Sequence, residues 1–143
     1  MSTLRLPYSD LSSQAYQGFV QTKKALDQST LGKALIELIN LRISQMNGCA
    51  FCLEMHAAAL RSGNQDARRI DGLAGWRVSE RYTERERAAL AWAESLTAIS
   101  EDHAPDAVYE PLKVHFSNVE IADLTFAAAL MNAFNRLAIA MRQ

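Results

Sequence analysis

Apolar residues recur along this chain at intervals of three and four and almost never alternate. That is the period of a helix buried on one face. Leu31, Leu35, Leu38, Ile39 and Met46, with the aliphatic stem of Arg42, trace one such stripe, capped by Thr30 and stopped by Asn47-Gly48. Ahead of it, Ser9, Asp10 or Ser12 caps a first helix running to about Gln28. A third helix starts at or near Cys49 and ends at Gly63, and Asn64 caps a short one through Ile70. Asp71 to Tyr82, with Gly72, Gly75 and Trp76, reads as a loop. Thr83 with Glu86, and Ser117 with Glu120, are capping boxes. They open a helix to about Ile99 and a long final one, Val119 to Met141, and Pro105 suits the first turn of a helix between them. No alternating β-branched run interrupts the series. The expectation is an all-α fold, with residues 1–143 as a single domain.

The final helix is apolar around much of its circumference, through Phe126, Leu130, Met131, Phe134, Leu137 and Met141. In a chain of 143 residues such a helix is central to the core or buried in a subunit contact. Hydrophobic residues make up 49% and charged residues 22%, as in a folded soluble protein. Net charge is −1 and no basic stripe is present, which excludes nucleic acid as an expected partner. No uninterrupted apolar run reaches the roughly 18 residues of a membrane span, so no membrane partner is expected. Met1 to Pro7 lacks an apolar signal-peptide core, so the expected location is cytoplasmic.

In that compartment a structural disulfide is out of place, and a CxxC pair points to catalysis or metal binding. The two cysteines of the chain, Cys49 and Cys52, form that pair, and His56 follows. Positions i, i+3 and i+7 share one helical face, so both thiols and the imidazole point the same way. Cys49 falls at the helix N-terminus, where free N–H groups and the macrodipole favour a thiolate. His56, one turn beyond Cys52, can take a thiol proton or stabilise a thiolate. Glu37 interrupts the apolar run Leu35, Ile36, Leu38, Ile39, where an unpaired carboxylate is costly. It is either on the polar face of its helix or returned by the Asn47-Gly48 turn towards the middle of the third helix. In the second case it orients the histidine or accepts the proton itself.

Glu37, Cys49, Cys52 and His56 in the spacing Glu-x11-Cys-x2-Cys-x3-His resemble the AhpD-like alkylhydroperoxidase core of the carboxymuconolactone decarboxylase superfamily. The flanks Ile39–Met46 and His56–Arg61 agree, as do Glu84–Leu90 and Asn132–Leu137. The resemblance implies an all-α fold around the dithiol helix pair and homo-oligomers, trimers or hexamers. It implies a thiol peroxidase that uses no metal or other cofactor. A hydroperoxide would be its substrate, and a thiol, lipoyl or thioredoxin-like partner its reductant. It further implies Cys52 as the thiol that attacks peroxide, Cys49 as its resolving partner, and Glu37 and His56 as the proton relay. The helix terminus argues the other way, for Cys49 as the more acidic thiol. One position departs from the pattern: the best-known alkylhydroperoxidases carry a further histidine between the cysteines, where this chain has Phe51. The decarboxylase branch typically lacks the CxxC.

Two other readings use the same residues. One is a disulfide oxidoreductase or redox sensor. The other is a zinc-binding or interaction protein, with Cys49, Cys52 and His56 as ligands and Glu37, His103 or His115 as a fourth. Otherwise His103 reads as solvated and His115 as structural. Trp76 reads as a core residue or as an entry to the thiol site, and Arg85 and Arg87 as an exposed charged face.

Overall fold

The helical hairpin set by Asn47-Gly48 lies at the centre of the molecule. The computed structural model describes residues 3–143; Met1 and Ser2, part of the stretch searched for a signal-peptide core, lie outside the described residues. The chain opens with α1 (Tyr8–Leu11), α2 (Ser13–Leu26), α3 (Lys33–Asn47), α4 (Ala50–Ser62) and α5 (Ala67–Asp71). A 3-10 segment (Leu73–Val78) leads to α6 (Glu84–Thr97), the single-turn helices α7 (Ile99–Asp102), α8 (Asp106–Tyr109) and α9 (Leu112–His115), and α10 (Asn118–Met141). Among the described residues there is no strand.

Helix α3 is the hub because it is apolar on two sides. Leu35, Ile39 and Ile43 face Ala89, Trp92 and Ala93 of α6 and Leu124, Ala128 and Met131 of α10. Leu38 and Leu41 face a second cluster with Leu60, Ile70, Leu73, Trp76 and Leu90. Burying each large aliphatic side chain contributes about 2 kcal/mol, so these two faces fix α3 between α4, α6 and α10.

A polar cluster braces the second face. The Glu94 carboxylate accepts hydrogen bonds from Trp76 Nε1, Arg42 Nε and Arg77 Nη2, each at 2.8 Å. Burial pushes this carboxyl up, but the three donors outweigh burial and hold it below the ordinary glutamate value.

Several boundaries differ from expectation. The first helix is broken at Ser12 into α1 and α2. Thr30 does not cap α3; Gly32 does, at φ +86°. Ser29 and Thr30 instead donate hydrogen bonds to Asp123 and Glu120 at the start of α10. Asp66, not Asn64, caps α5, while Asn64 takes a left-handed conformation just after α4. The presumed loop contains the 3-10 segment because Leu73 and Trp76 are drawn into the core. The helix expected to reach Ile99 ends at Thr97. Arg85 and Arg87 are half-buried rather than free on the surface. Arg87 donates to the carbonyls of Trp76, Arg77 and Ser79, and Arg85 pairs with Glu120. Both capping boxes form as the sequence predicts.

By length and mean hydropathy (1.3), α10 is long and apolar enough to cross a membrane, although polar residues interrupt its apolar run. Asn132 and Asn135 interrupt the run, yet both are buried and hydrogen-bonded inside the fold. Packing against α2, α3, α4, α6 and α9 makes α10 a core helix.

Candidate active site

The site is built on the α3–α4 turn. Gly48 closes α3 at φ +71°, a conformation that favours glycine, and its N–H donates to Ser44 O. The chain then turns back, and Cys49 takes an extended conformation as the N-cap of α4. Its sulfur accepts the Cys52 N–H at 3.3 Å, a role that Ser, Thr or Asp would ordinarily fill. Cys49 and Cys52 are joined as a disulfide, with Cα atoms 5.3 Å apart. Both are buried, at 1% and 2% exposure, and pack on Ala138 of α10.

The turn also returns Glu37 to the middle of α4. Its Oε2 lies 2.6 Å from His56 Nδ1, and both side chains are largely shielded from solvent. A carboxylate at Nδ1 calls for a proton on that nitrogen, which leaves Nε2 as the ring atom free to exchange a proton with a neighbour. Nε2 is buried and has no hydrogen-bond partner. A buried base without a partner costs stability and is available for chemistry.

Cys52, His56 and Glu37 line one cavity of about 290 Å³. The apolar walls come from Phe51 and Met55 of α4, Leu130 and Phe134 of α10, and Tyr8 and Tyr16 from the start of the chain. Tyr16 and Phe19 each meet Phe134 edge to face, with ring centres 6.3 and 5.4 Å apart, which seats α2 on α10. Tyr8 donates its hydroxyl to Gln143, and burial, with Tyr16 beside it, pushes that hydroxyl's pKa up. The wall therefore keeps an uncharged phenol at neutral pH. Cys49 is not among the lining residues. Sequence reasoning singled out Glu37, Cys52 and His56, which line the cavity, and Cys49, which does not; it gave no sign of the wall that Tyr8, Tyr16, Leu130 and Phe134 form from distant parts of the chain.

The other candidates lie elsewhere. Trp76 sits in the second core cluster, with its N–H on Glu94, and does not line the cavity. His103 follows α7 on the surface and His115 ends α9, both away from the cavity. Among the described residues, no three His, Cys, Asp or Glu side chains form a group that could hold a metal ion.

Comparison with known proteins gives a consistent picture. A profile of the carboxymuconolactone decarboxylase family matches residues 13–95. The chain is 33% identical over 137 residues to the uncharacterized protein YdfG of Bacillus subtilis (strain 168), covering 96% of this chain and 93% of that one. Among solved structures it is similar to a protein of unknown function from Agrobacterium tumefaciens, suggested to be an antioxidant defence protein, AhpD. That match has a TM-score of 0.94 and 38% identity, and covers 99% of this chain and 97% of the other. It is also similar to the alkylhydroperoxidase AhpD core of an uncharacterized peroxidase-related protein from Ralstonia eutropha JMP134. There the TM-score is 0.78 at 26% identity, over 91% of this chain and 70% of that one.

Proposed function

This chain is an AhpD-like member of the carboxymuconolactone decarboxylase family, and we propose that within it the protein is a thiol-dependent peroxidase cycling Cys49 and Cys52 between dithiol and disulfide. The observation that carries this reading is a buried disulfide pair of which one sulfur, Cys52, shares an apolar cavity with an imidazole held by Glu37 and open at Nε2.

In the reduced enzyme His56 Nε2 takes the Cys52 proton. The thiolate attacks the distal oxygen of a hydroperoxide, the O–O bond breaks, and the alkoxide leaves as the alcohol with the proton returned by His56. Cys52 is then a sulfenic acid. Cys49 sulfur bonds to Cys52 sulfur, the S–O bond breaks, and water leaves with the Cys49 proton. A dithiol reductant restores both thiols by exchange and becomes a disulfide itself. Access favours Cys52 over Cys49 as the attacking thiol, because only Cys52 lines the cavity. The N-cap position still suits Cys49 to carry thiolate character when the disulfide is opened.

Burial of both sulfurs disfavours a protein-disulfide exchanger or sensor, whose partner must reach them with a bulky surface. The same burial favours a slim lipoyl-type arm over a thioredoxin-like face as reductant. The whole chain would act as one domain in the cytoplasm, where a thiol pool can recharge it. A homo-oligomer, trimer or hexamer, belongs to the same reading. Val119, Ala122, Phe126 and Ala129 form an exposed stripe along α10 that such a contact would cover.

The test is mass spectrometry of reduced protein before and after one equivalent of cumene hydroperoxide, on wild type, Cys49→Ser and Cys52→Ser. Wild type should lose two mass units, and a sulfenic acid should be trapped on Cys52 in Cys49→Ser alone. Multi-turnover peroxide reduction surviving either substitution sinks the proposal.

A further inference from the structure

Asn135 of α10 meets Ser44 and Asn47 of α3 beside the turn that leads into Cys49. Asn135 of α10 is fully buried, as is Ser44 of α3. Asn135 donates through Nδ2 to Ser44 Oγ at 3.1 Å and to Met131 sulfur at 3.4 Å. Its Oδ1 accepts from Asn47 Nδ2 at 3.0 Å, and Asn47 reaches Asn132 Oδ1 at the same distance. Asn135 thus grips both ends of one turn, the residue that begins it and the residue that closes α3. Within the turn the N–H groups of Gly48 and Cys49 both donate to Ser44 O, at 2.9 and 3.2 Å.

We infer that Asn135, with Asn47 and Ser44, is a positioning device for the dithiol: it clamps the Ser44–Cys49 turn to α10 and so keeps Cys49 within bonding reach of Cys52. The inference rests on Cys49 and Cys52 being the working couple of the proposed peroxidase. An apolar core would have packed this place at lower cost, since each buried amide must be fully bonded to be tolerated. What the amides add is direction. Besides the disulfide, Cys49 is held by its cap position, by its N–H on Ser44 O and by contact with Ala138, and Gly48 before it has access to conformations closed to other residues. Once the disulfide is reduced, the turn is held by these hydrogen bonds rather than by the covalent link. In the resolving step Cys49 sulfur must meet the Cys52 sulfenic acid, form the S–S bond and release water. Its effective concentration is set by how tightly the turn is clamped.

The experiment is redox equilibration of the full-length chain against mixtures of reduced and oxidised dithiothreitol, with the disulfide fraction read by mass spectrometry. Asn135→Ala and Asn47→Ala are compared with wild type and with Leu73→Ala, a core truncation in the second cluster. The equilibrium constant for disulfide formation should fall about tenfold in both asparagine variants. Leu73→Ala should lower the melting temperature and leave that constant unchanged. With about ten equivalents of cumene hydroperoxide, the asparagine variants should also carry at least threefold more sulfinic acid on Cys52, because slowed resolution leaves the sulfenic acid exposed to a second peroxide molecule. Asn47 is only half-buried, so Asn47→Ala decides the matter if Asn135→Ala does not fold. A folded Asn47→Ala with an equilibrium constant within twofold of wild type overturns the inference, as does an equal shift in Leu73→Ala. The dithiothreitol equilibrium uses no peroxide. A failed peroxidase reading would appear separately, as wild-type thiols that cumene hydroperoxide leaves unoxidised.

Discussion

On helix α3 the side chains of Glu37 and Arg42 lie little more than a turn apart, and they belong to clusters of opposite kind. Arg42 joins Trp76 and Arg77 in saturating the Glu94 carboxylate with three donors. Glu37 makes one short contact, to His56 Nδ1, and the other ring nitrogen of that histidine has no partner. The Glu37 and Glu94 carboxylates are both largely shielded, and both clusters bridge α3 to a neighbouring element. The first is complete, and its bonds connect three pieces of architecture. The second is left open towards a cavity that also holds Cys52. Completeness of hydrogen bonding, more than burial or charge, separates the bracing cluster from the reactive one.

The sharpest way to break this comparison is to remove the open base. His56→Asn should slow single-turnover oxidation of the dithiol by hydroperoxide about 10²- to 10⁴-fold, the range of a lost general base. Its melting temperature should stay close to wild type, because the nitrogen removed was unsatisfied. A rate within threefold of wild type would place the proton transfer elsewhere.

The converse substitution is Glu94→Gln. It leaves the half-buried Arg42 without its anion and should destabilise the fold by about 3 kcal/mol in urea titration, with turnover per folded molecule unchanged. The same cluster has a pH signature. The folded Glu94 carboxyl lies below its ordinary value of 4.5, so its stabilising contribution is fully present above that value and is lost as pH falls through the folded value. Wild type should therefore lose more stability than Glu94→Gln as pH drops below 4.5. Parallel pH profiles for the two proteins would remove Glu94 from this account.

The smallest effect concerns the cavity wall. Phe51 is 41% exposed at the cavity, in the place where the resembling enzymes have a histidine. Phe51→Ala should raise KM for cumene hydroperoxide about three- to tenfold and leave hydrogen peroxide reduction nearly unchanged. Equal changes for both substrates would show that Phe51 touches the chemistry and not the substrate's apolar part.

Features encoded locally were legible in the sequence. Thr83-x-x-Glu86 and Ser117-x-x-Glu120 close on themselves, so both capping boxes could be read directly. Asn47-Gly48 and the phase of Cys49, Cys52 and His56 are equally local. Glu37 came within reach because the turn is short enough for an antiparallel return. Features decided by distant contacts were not legible. Thr30 looks like a cap, but Glu120 claims its hydroxyl. Leu73 and Trp76 lie among glycines, yet a core that needs them winds their segment into a 3-10 turn. Asn135 reads as one more interruption in an apolar helix until its partners across α3 are seen. The cavity wall had no local signal, since Tyr8, Tyr16 and Phe134 meet only after the ends of the chain come together.

That meeting of the ends has a kinetic meaning. The Arg5 N–H donates to Met141 O, and the Arg5 guanidinium to Ala140 O, across a sequence separation of 135 for the latter. Glu37 and His56 are separated by only 19 positions. Closing the longer loop costs about 2 kcal/mol more chain entropy, and exposed hydrogen bonds return little of it. Loop-closure entropy alone therefore favours the hairpin that joins the reactive pair over the seam that closes its cavity wall.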